Sequence, residues 1–205
     1  MKVLDLGCGA GGCSVGYARA GWEVCGVDID PQPNYPFPFE RSDMLTFPLG
    51  GWDLIHCSPP CQRWSAMSTC RPGVGDRYPD LITPMRERLQ GHAYVIENVP
   101  GAPLADPVML CGQMFGLDLY RHRLFEASMT LTPPAHPPHT KPASRAGHWV
   151  PGTVMSVAGH VAPVAHARAV MGIEWMTRDE LCEAVPPAYT EWVGWQILAR
   201  VTASV

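Results

Sequence analysis

The sequence predicts an α/β fold, a mostly parallel sheet with helices on both faces. Three observations predict it. Short apolar runs of strand length recur along the first half of the chain, helix-like segments separate them, and the runs close on acidic, glycine-rich or proline-rich turns. At 205 residues the chain can bury one substantial core but hardly two, so a single domain spanning 1–205 is expected.

KVLDL, Lys2 to Leu6, is a short apolar run closing on an acid and reads as the first strand. GCGAGG is a glycine-rich turn, and the pattern from Cys13 to Gly21 is helical. WEVCGVDID, Trp22 to Asp30, is a second strand. Prolines at 31, 33, 36 and 38 mark a connection rather than an element after it. WDLIHC, Trp52 to Cys57, is a third strand; PDLITPMRERLQG reads as a helix; AYVIENV, Ala93 to Val99, is a fourth strand; and RHRLFEAS, Arg121 to Ser128, is a later one. From Thr130 to about Pro151 the chain is rich in Pro, His and Thr without periodicity, an irregular excursion. Helical candidates HARAVMGI, TRDELCEAV and AYTEWVGWQILARV end the series. A first strand beginning at residue 2 has no helix before it to cover the sheet there. The last helix, Ala188 to Val201, has the apolar face to fold back on that place.

Composition narrows the class. With 46% hydrophobic residues and no low-complexity run, the chain reads as globular. No apolar run reaches spanning length and the opening residues lack a signal-peptide pattern, so a cytoplasmic protein with reduced thiols and no membrane partner is expected. Net charge −4 argues against a general nucleic-acid coat. The charge is uneven, however: residues 57–150 carry most of the basic side chains, and a polyanion would lie there.

In open parallel sheets, ligands bind beyond the carboxyl ends of the strands. Four distinctive stretches fall at such ends. DLGCGAGG, Asp5 to Gly12, lets the backbone approach a ligand closely, although a plain strand-to-helix turn would look similar. Asp28 in GVDID suits the two ribose hydroxyls of a nucleoside cofactor, or simply ends a strand. In SPPC the prolines give a rigid exit that fixes where the Cys61 thiol points, and a lowered pKa would make it a nucleophile. Cys57 is the better candidate for packing. Glu97 in VIENVPG closes an apolar strand, where a carboxylate either takes a raised pKa and acid/base work or pairs with Arg121 or Arg123.

Together these residues resemble the DNA cytosine carbon-5 methyltransferases, nearly end to end. DLGCGAGGCSVGYARAGW is similar to the first cofactor motif of that family, VDID to the second, and RSDML to the third. SPPCQRWS matches the nucleophile motif, ENV the catalytic glutamate motif, RHR the Arg-x-Arg strand, and EAVPPAYTEWVGWQIL the last motif. YPDL, CGQMFGL and RHRLFE look like the compact members of phages and prophages. The resemblance implies a Rossmann-like class I S-adenosylmethionine-dependent methyltransferase fold. It implies S-adenosylmethionine as cofactor, held by Asp5, Gly7, Gly9, Ala10, Gly11, Gly12, Asp28, Ile29, Asp43 and Pro59. It implies Cys61, Glu97, Arg121 and Arg123 as the catalytic set, with Arg121 the better support or phosphate contact, and Gln62, Arg63, Ser65 and Asn98 toward the substrate. The implied partner is double-stranded DNA with the target cytosine flipped out.

The chain also departs from the family. Only residues 126–165 stand where a long recognition domain is usual, before the closing helices of 166–205, so a short recognition lobe is expected, helped by a partner protein or a dimer mate. Glu183 and Ala184 replace the usual Gly-Asn. The excursion holds His136, His139, His148 and His160, but HPPH lacks a cysteine pair, and no metal is expected. Trp192 and Trp195 read as helix-packing residues, and Trp64 as a loop aromatic able to wedge against DNA. The rivals are the same chemistry on tRNA or a free cytidine nucleotide, and a non-catalytic protein that keeps only the fold.

Overall fold

A computed structural model describes residues 1–65, 73 and 75–203. Seven strands form one sheet in the order β3-β2-β1-β4-β5-β7-β6. They are β1 (Lys2–Leu6), β2 (Glu23–Asp28), β3 (Phe39–Arg41), β4 (Leu54–Cys57), β5 (Tyr94–Asn98), β6 (Val108–Leu110) and β7 (Arg123–Ala127). All pairings are parallel except the two made by β7. That single reversal matters for the site. With Asn98 opposite Leu124, the start of β7 lies beside the carboxyl end of β5.

The central strands are apolar throughout because both faces are covered. Val3, Val24, Leu54 and Val95 face one layer, formed by α1 (Gly12–Arg19) and α5 (Pro187–Ala203). Leu4, Leu6, Ile55 and Ile96 face the other, with Met85 and Leu89 of α2 (Ile82–Arg88) and its end. The period-two alternation thus splits one run of residues between two helix layers.

The last helix does fold back as expected. Tyr189, Val193 and Ile197, four residues apart, present a fully buried stripe. Close approach is enforced by two glycines: a Cβ on Gly16 would stand 2.1 Å from Thr190 Oγ1, and one on Gly194 2.9 Å from the Ala20 Cβ. Thr190 Oγ1 donates to the Cys13 carbonyl at 2.8 Å across the contact. Trp195, expected to pack, is instead 53% exposed, because a position two residues from Val193 points to the opposite side of the helix. Trp192 is half-buried against Phe115.

Two strands escaped the sequence reading. β3 emerges directly from the proline-rich connection, and β6 is three residues long; neither offers enough residues for a period to show. The excursion carries no helix or named strand between Thr130 and Pro151. Residues on either side of it, Leu119 before and Met155, Val157 and Val161 after, share an apolar cluster with Met171 of α3 (Val164–Met171) and Leu181 of α4 (Arg178–Glu183). Among the described residues no helix is long and apolar enough to cross a membrane.

Candidate active site

The glycine turn leaves β1 with Gly7, Gly9 and Gly11 all at positive φ. Gly7 needs glycine twice over: its φ is 73°, and a Cβ would meet the Ser58 carbonyl oxygen at 2.6 Å. The turn is thereby pressed against the start of the loop that carries Cys61. A Cβ on Gly9 would meet nothing within 4 Å, so that side of the turn is open to a ligand. Asp28 Oδ2 accepts from the Gly9 amide at 3.0 Å and Oδ1 from the Asp30 amide at 3.0 Å, which ties β2's end to the turn. Ile29 beside it is 62% exposed, an apolar platform at a strand end. Asp43 is exposed and caps its own turn, accepting from the Leu45 amide at 2.8 Å.

Four of the expected cofactor residues lie beneath or behind this surface. Asp5 is fully buried; burial pushes its carboxyl up to about 7 while the Ser14 hydroxyl, donating at 2.5 Å, opposes the rise. Gly12 faces the closing motif, where a Cβ would meet the Val185 carbonyl oxygen at 2.4 Å. Ala10 offers its carbonyl to Trp175 Nε1 at 2.8 Å. Pro59 is buried, and its carbonyl accepts from Asn98 Nδ2 at 2.9 Å. Asn98, expected toward the substrate, therefore clamps the Cys61 loop to the end of β5.

Cys61 is half-buried at the end of that loop. Burial pushes its thiol above the ordinary value, the charge of Arg123 pulls it down, and Glu97 pushes it up again. Gln62 is exposed. Arg63 turns away from the cysteine, donating to the Tyr78 carbonyl at 2.8 Å and lying over the Trp64 ring at 5.2 Å. Ser65 Oγ donates to the Gln62 carbonyl at 3.4 Å.

Glu97, 5% exposed, sits at the end of β5 with Arg123 Nε 3.0 Å from its Oε1. The guanidinium supplies charge there without an aligned N–H, and Oε1 makes no hydrogen bond. A buried carboxyl oxygen without a donor is open to a ligand. Burial pushes Glu97 up; Arg123, the nearby Ser58 hydroxyl and Arg121 pull it back. Arg121 is placed differently from Arg123. It donates to the carbonyls of Val157 and of Cys182, the latter at 2.8 Å, and burial with the neighbouring Arg123 charge lowers it to about 9. Its part is to tie the start of β7 to the lobe of α3 and α4.

A buried polar chain behind the site went unread in the sequence. Tyr17 OH lies 2.9 Å from His56 Nδ1, and His56 Nε2 lies 3.0 Å from Ser58 Oγ, next to Glu97. Burial lowers His56 to about 3, so it is neutral and bridges the two hydroxyls. Its only signal in the sequence was a histidine within an apolar strand, which by itself names no partner.

No protein-family model and no curated relative matches the chain. Solved structures do match. A protein described as a DNA modification methyltransferase encoded within an E. coli prophage aligns at TM-score 0.71 and 14% identity, over 98% of this chain and 99% of its own. S. pombe Dnmt2 methyltransferase aligns at 0.61 and 13% identity over 98% and 99%, and the Entamoeba histolytica methyltransferase EhMeth at 0.63 and 10% over 98% of each. At these identities the likeness is one of fold. The chain has the class I S-adenosylmethionine-dependent methyltransferase fold, and it shares that fold with these methyltransferases over nearly their full length.

Proposed function

We propose that this protein is an enzyme that transfers the methyl group of S-adenosylmethionine to carbon 5 of cytosine in double-stranded DNA. The observation that carries the reading is the meeting of Cys61, Glu97 and Arg123 at one end of the sheet's interior strands. They come from the ends of β4 and β5 and the start of β7, neighbours in the strand order, beside the open glycine turn.

The cofactor fits the open side of Gly9, with Asp28 toward the ribose, the exposed Ile29 against the adenine and Asp43 near its amine. Bound there, S-adenosylmethionine supplies an electrophilic methyl. The cytosine ring is a poor nucleophile at carbon 5, so Cys61 adds as thiolate to carbon 6. Burial biases Glu97 toward its protonated form, which donates to ring nitrogen 3 and stabilises the negative charge that develops. Arg123 holds the base carbonyl and keeps Glu97 oriented. With the cofactor bound, carbon 5 of this adduct would take the methyl as S-adenosylhomocysteine leaves, and departure of Cys61 as thiolate with loss of the carbon-5 proton to solvent then restores the ring. A duplex base reaches this pocket only when flipped out.

Residues 126–165 act as a reduced recognition lobe within one methyltransferase domain. Recognition is accordingly short, and a longer target would need a partner protein or a second copy. The protein works in the cytoplasm of a bacterium or a phage-infected cell.

The test is expression in a bacterial host free of cytosine methylation, beside the Cys61→Ala variant, with base-resolution sequencing of 5-methylcytosine. Methylation with the wild type alone, in a short sequence context, is the expected result. Its absence with folded, cofactor-binding protein would move the substrate to tRNA or a cytidine nucleotide, for which methyl acceptance is assayed directly. Equal methylation by Cys61→Ala would sink the covalent mechanism.

A further inference from the structure

The excursion and the strand pair beside it bring together four side chains that the proposed methyl transfer does not use. Cys111 is buried where β6 ends; His122 precedes β7; His136 and His139 lie on the excursion. One donor atom from each lies within 4.8 Å of all the others. His122 Nε2 and His136 Nε2 are 3.3 Å apart, and Cys111 Sγ and His139 Nε2 are 3.4 Å apart. In a tetrahedral zinc site with bonds of about 2.0–2.1 Å to nitrogen and about 2.3 Å to sulfur, neighbouring donors stand roughly 3.3 to 3.7 Å apart. Two of the six separations already match the edges of such a tetrahedron, and the rest lie within 4.8 Å.

The surroundings fit a staple. From Pro133 to Thr140 no backbone-to-backbone hydrogen bond ties the excursion down among the described residues. Two prolines between His136 and His139 fix the separation of their backbones. Tyr120 stacks on His139 with ring centres 3.6 Å apart at 12°, and its hydroxyl donates to the Lys141 carbonyl at 2.5 Å. His122, in turn, accepts from Arg123 through its carbonyl at 3.0 Å.

We propose that Cys111, His122, His136 and His139 bind one structural Zn²⁺ that clamps the excursion to the β6–β7 edge. The Cys111 thiol releases its proton to solvent on binding and ligates as thiolate; the three imidazoles ligate as neutral rings, leaving the centre with one net positive charge. Four protein ligands leave no open position, so the ion takes no part in chemistry. Its effect is to hold the backbone at His122, between Arg121 and Arg123. This departs from the metal-free expectation drawn from HPPH because the two further ligands come from distant stretches of the chain.

The experiment uses the full chain, stripped with chelator and titrated with Co²⁺ as probe and then with Zn²⁺. One tetrahedral Co²⁺ spectrum per chain, with a thiolate charge-transfer band that Zn²⁺ abolishes, is expected. His136→Ala and His139→Ala remove exposed side chains and should lose that band while keeping far-UV circular dichroism; His160→Ala, in the same lobe but outside the cluster, should keep it. On the wild type, Zn²⁺ at a hundredfold excess over its Kd should raise the Tm by about 5–10 °C. Folded wild type with no band and no Tm shift, a band that survives both histidine substitutions, or one lost equally in His160→Ala, would overturn the assignment. None of these readouts requires methyl transfer, so they stand apart from the enzymatic reading.

Discussion

At Cys61 two influences oppose each other: burial raises the thiol, and Arg123 lowers it. Removing the arginine should therefore expose the burial effect. In Arg123→Met, the pH curve for iodoacetamide labelling of the Cys61 peptide is expected to move to higher pH; an unmoved curve would separate the two residues. Glu97→Gln keeps the shape but loses the acid, and kcat should fall roughly a hundredfold to a thousandfold, with cofactor affinity by calorimetry unchanged. The places of Cys61, Glu97 and Arg123 at strand ends were legible in the sequence because each stands in a distinctive short motif. The Tyr17–His56–Ser58 chain was not, since its members become partners only once β4 lies between β1 and β5. For Asn98 and Arg63, side-chain identity did not reveal that each would also donate to a backbone carbonyl.

Between elements, the contact of α1 with α5 is set by glycine. Gly16→Val places two methyl groups where Thr190 and the Pro187 carbonyl already stand, and should cost about 1–3 kcal/mol or more in urea unfolding. A smaller loss belongs to α4. Thr177 Oγ1 accepts from the Glu180 amide while the Glu180 carboxylate accepts from the Thr177 amide, and Thr177→Ala should cost about 1 kcal/mol by the same measurement. The strands β1, β2, β4, β5 and β7 and the helices α1 to α5 could be placed from apolar runs and periodicity. The return of the last helix could be inferred from its apolar face together with the uncovered sheet beside the first strand. β3 and β6 could not be placed so, because they depend on neighbours that pair in three dimensions, whereas the outward Trp195 follows from helical position once Val193 is placed inward.

For the whole molecule, two buried titrating groups pull stability in opposite directions over nearly the same pH range. Asp5 rises from an ordinary 3.8 to about 7, so between those values the folded chain holds the extra proton and stability falls as pH rises. His56 drops from 6.5 to about 3, so there the unfolded chain holds the extra proton and stability rises with pH. The wild type should show a shallow dependence from pH 4 to 6.5. His56→Gln should become more stable on acidification across that window, and Asp5→Asn less stable, as chemical denaturation at stepped pH would reveal; parallel slopes in all three would refute the opposition. The union of α1 and α5 also bears on how the chain is made. Trp22 Nε1 donates to the Gly194 carbonyl, a partner 172 positions later. At synthesis rates of about 5–20 residues per second, a nascent chain waits roughly ten to thirty seconds between the two. During that interval the apolar flank of β1 and α1 has no permanent cover, and the ribosome-bound intermediate is a natural client for a holding chaperone.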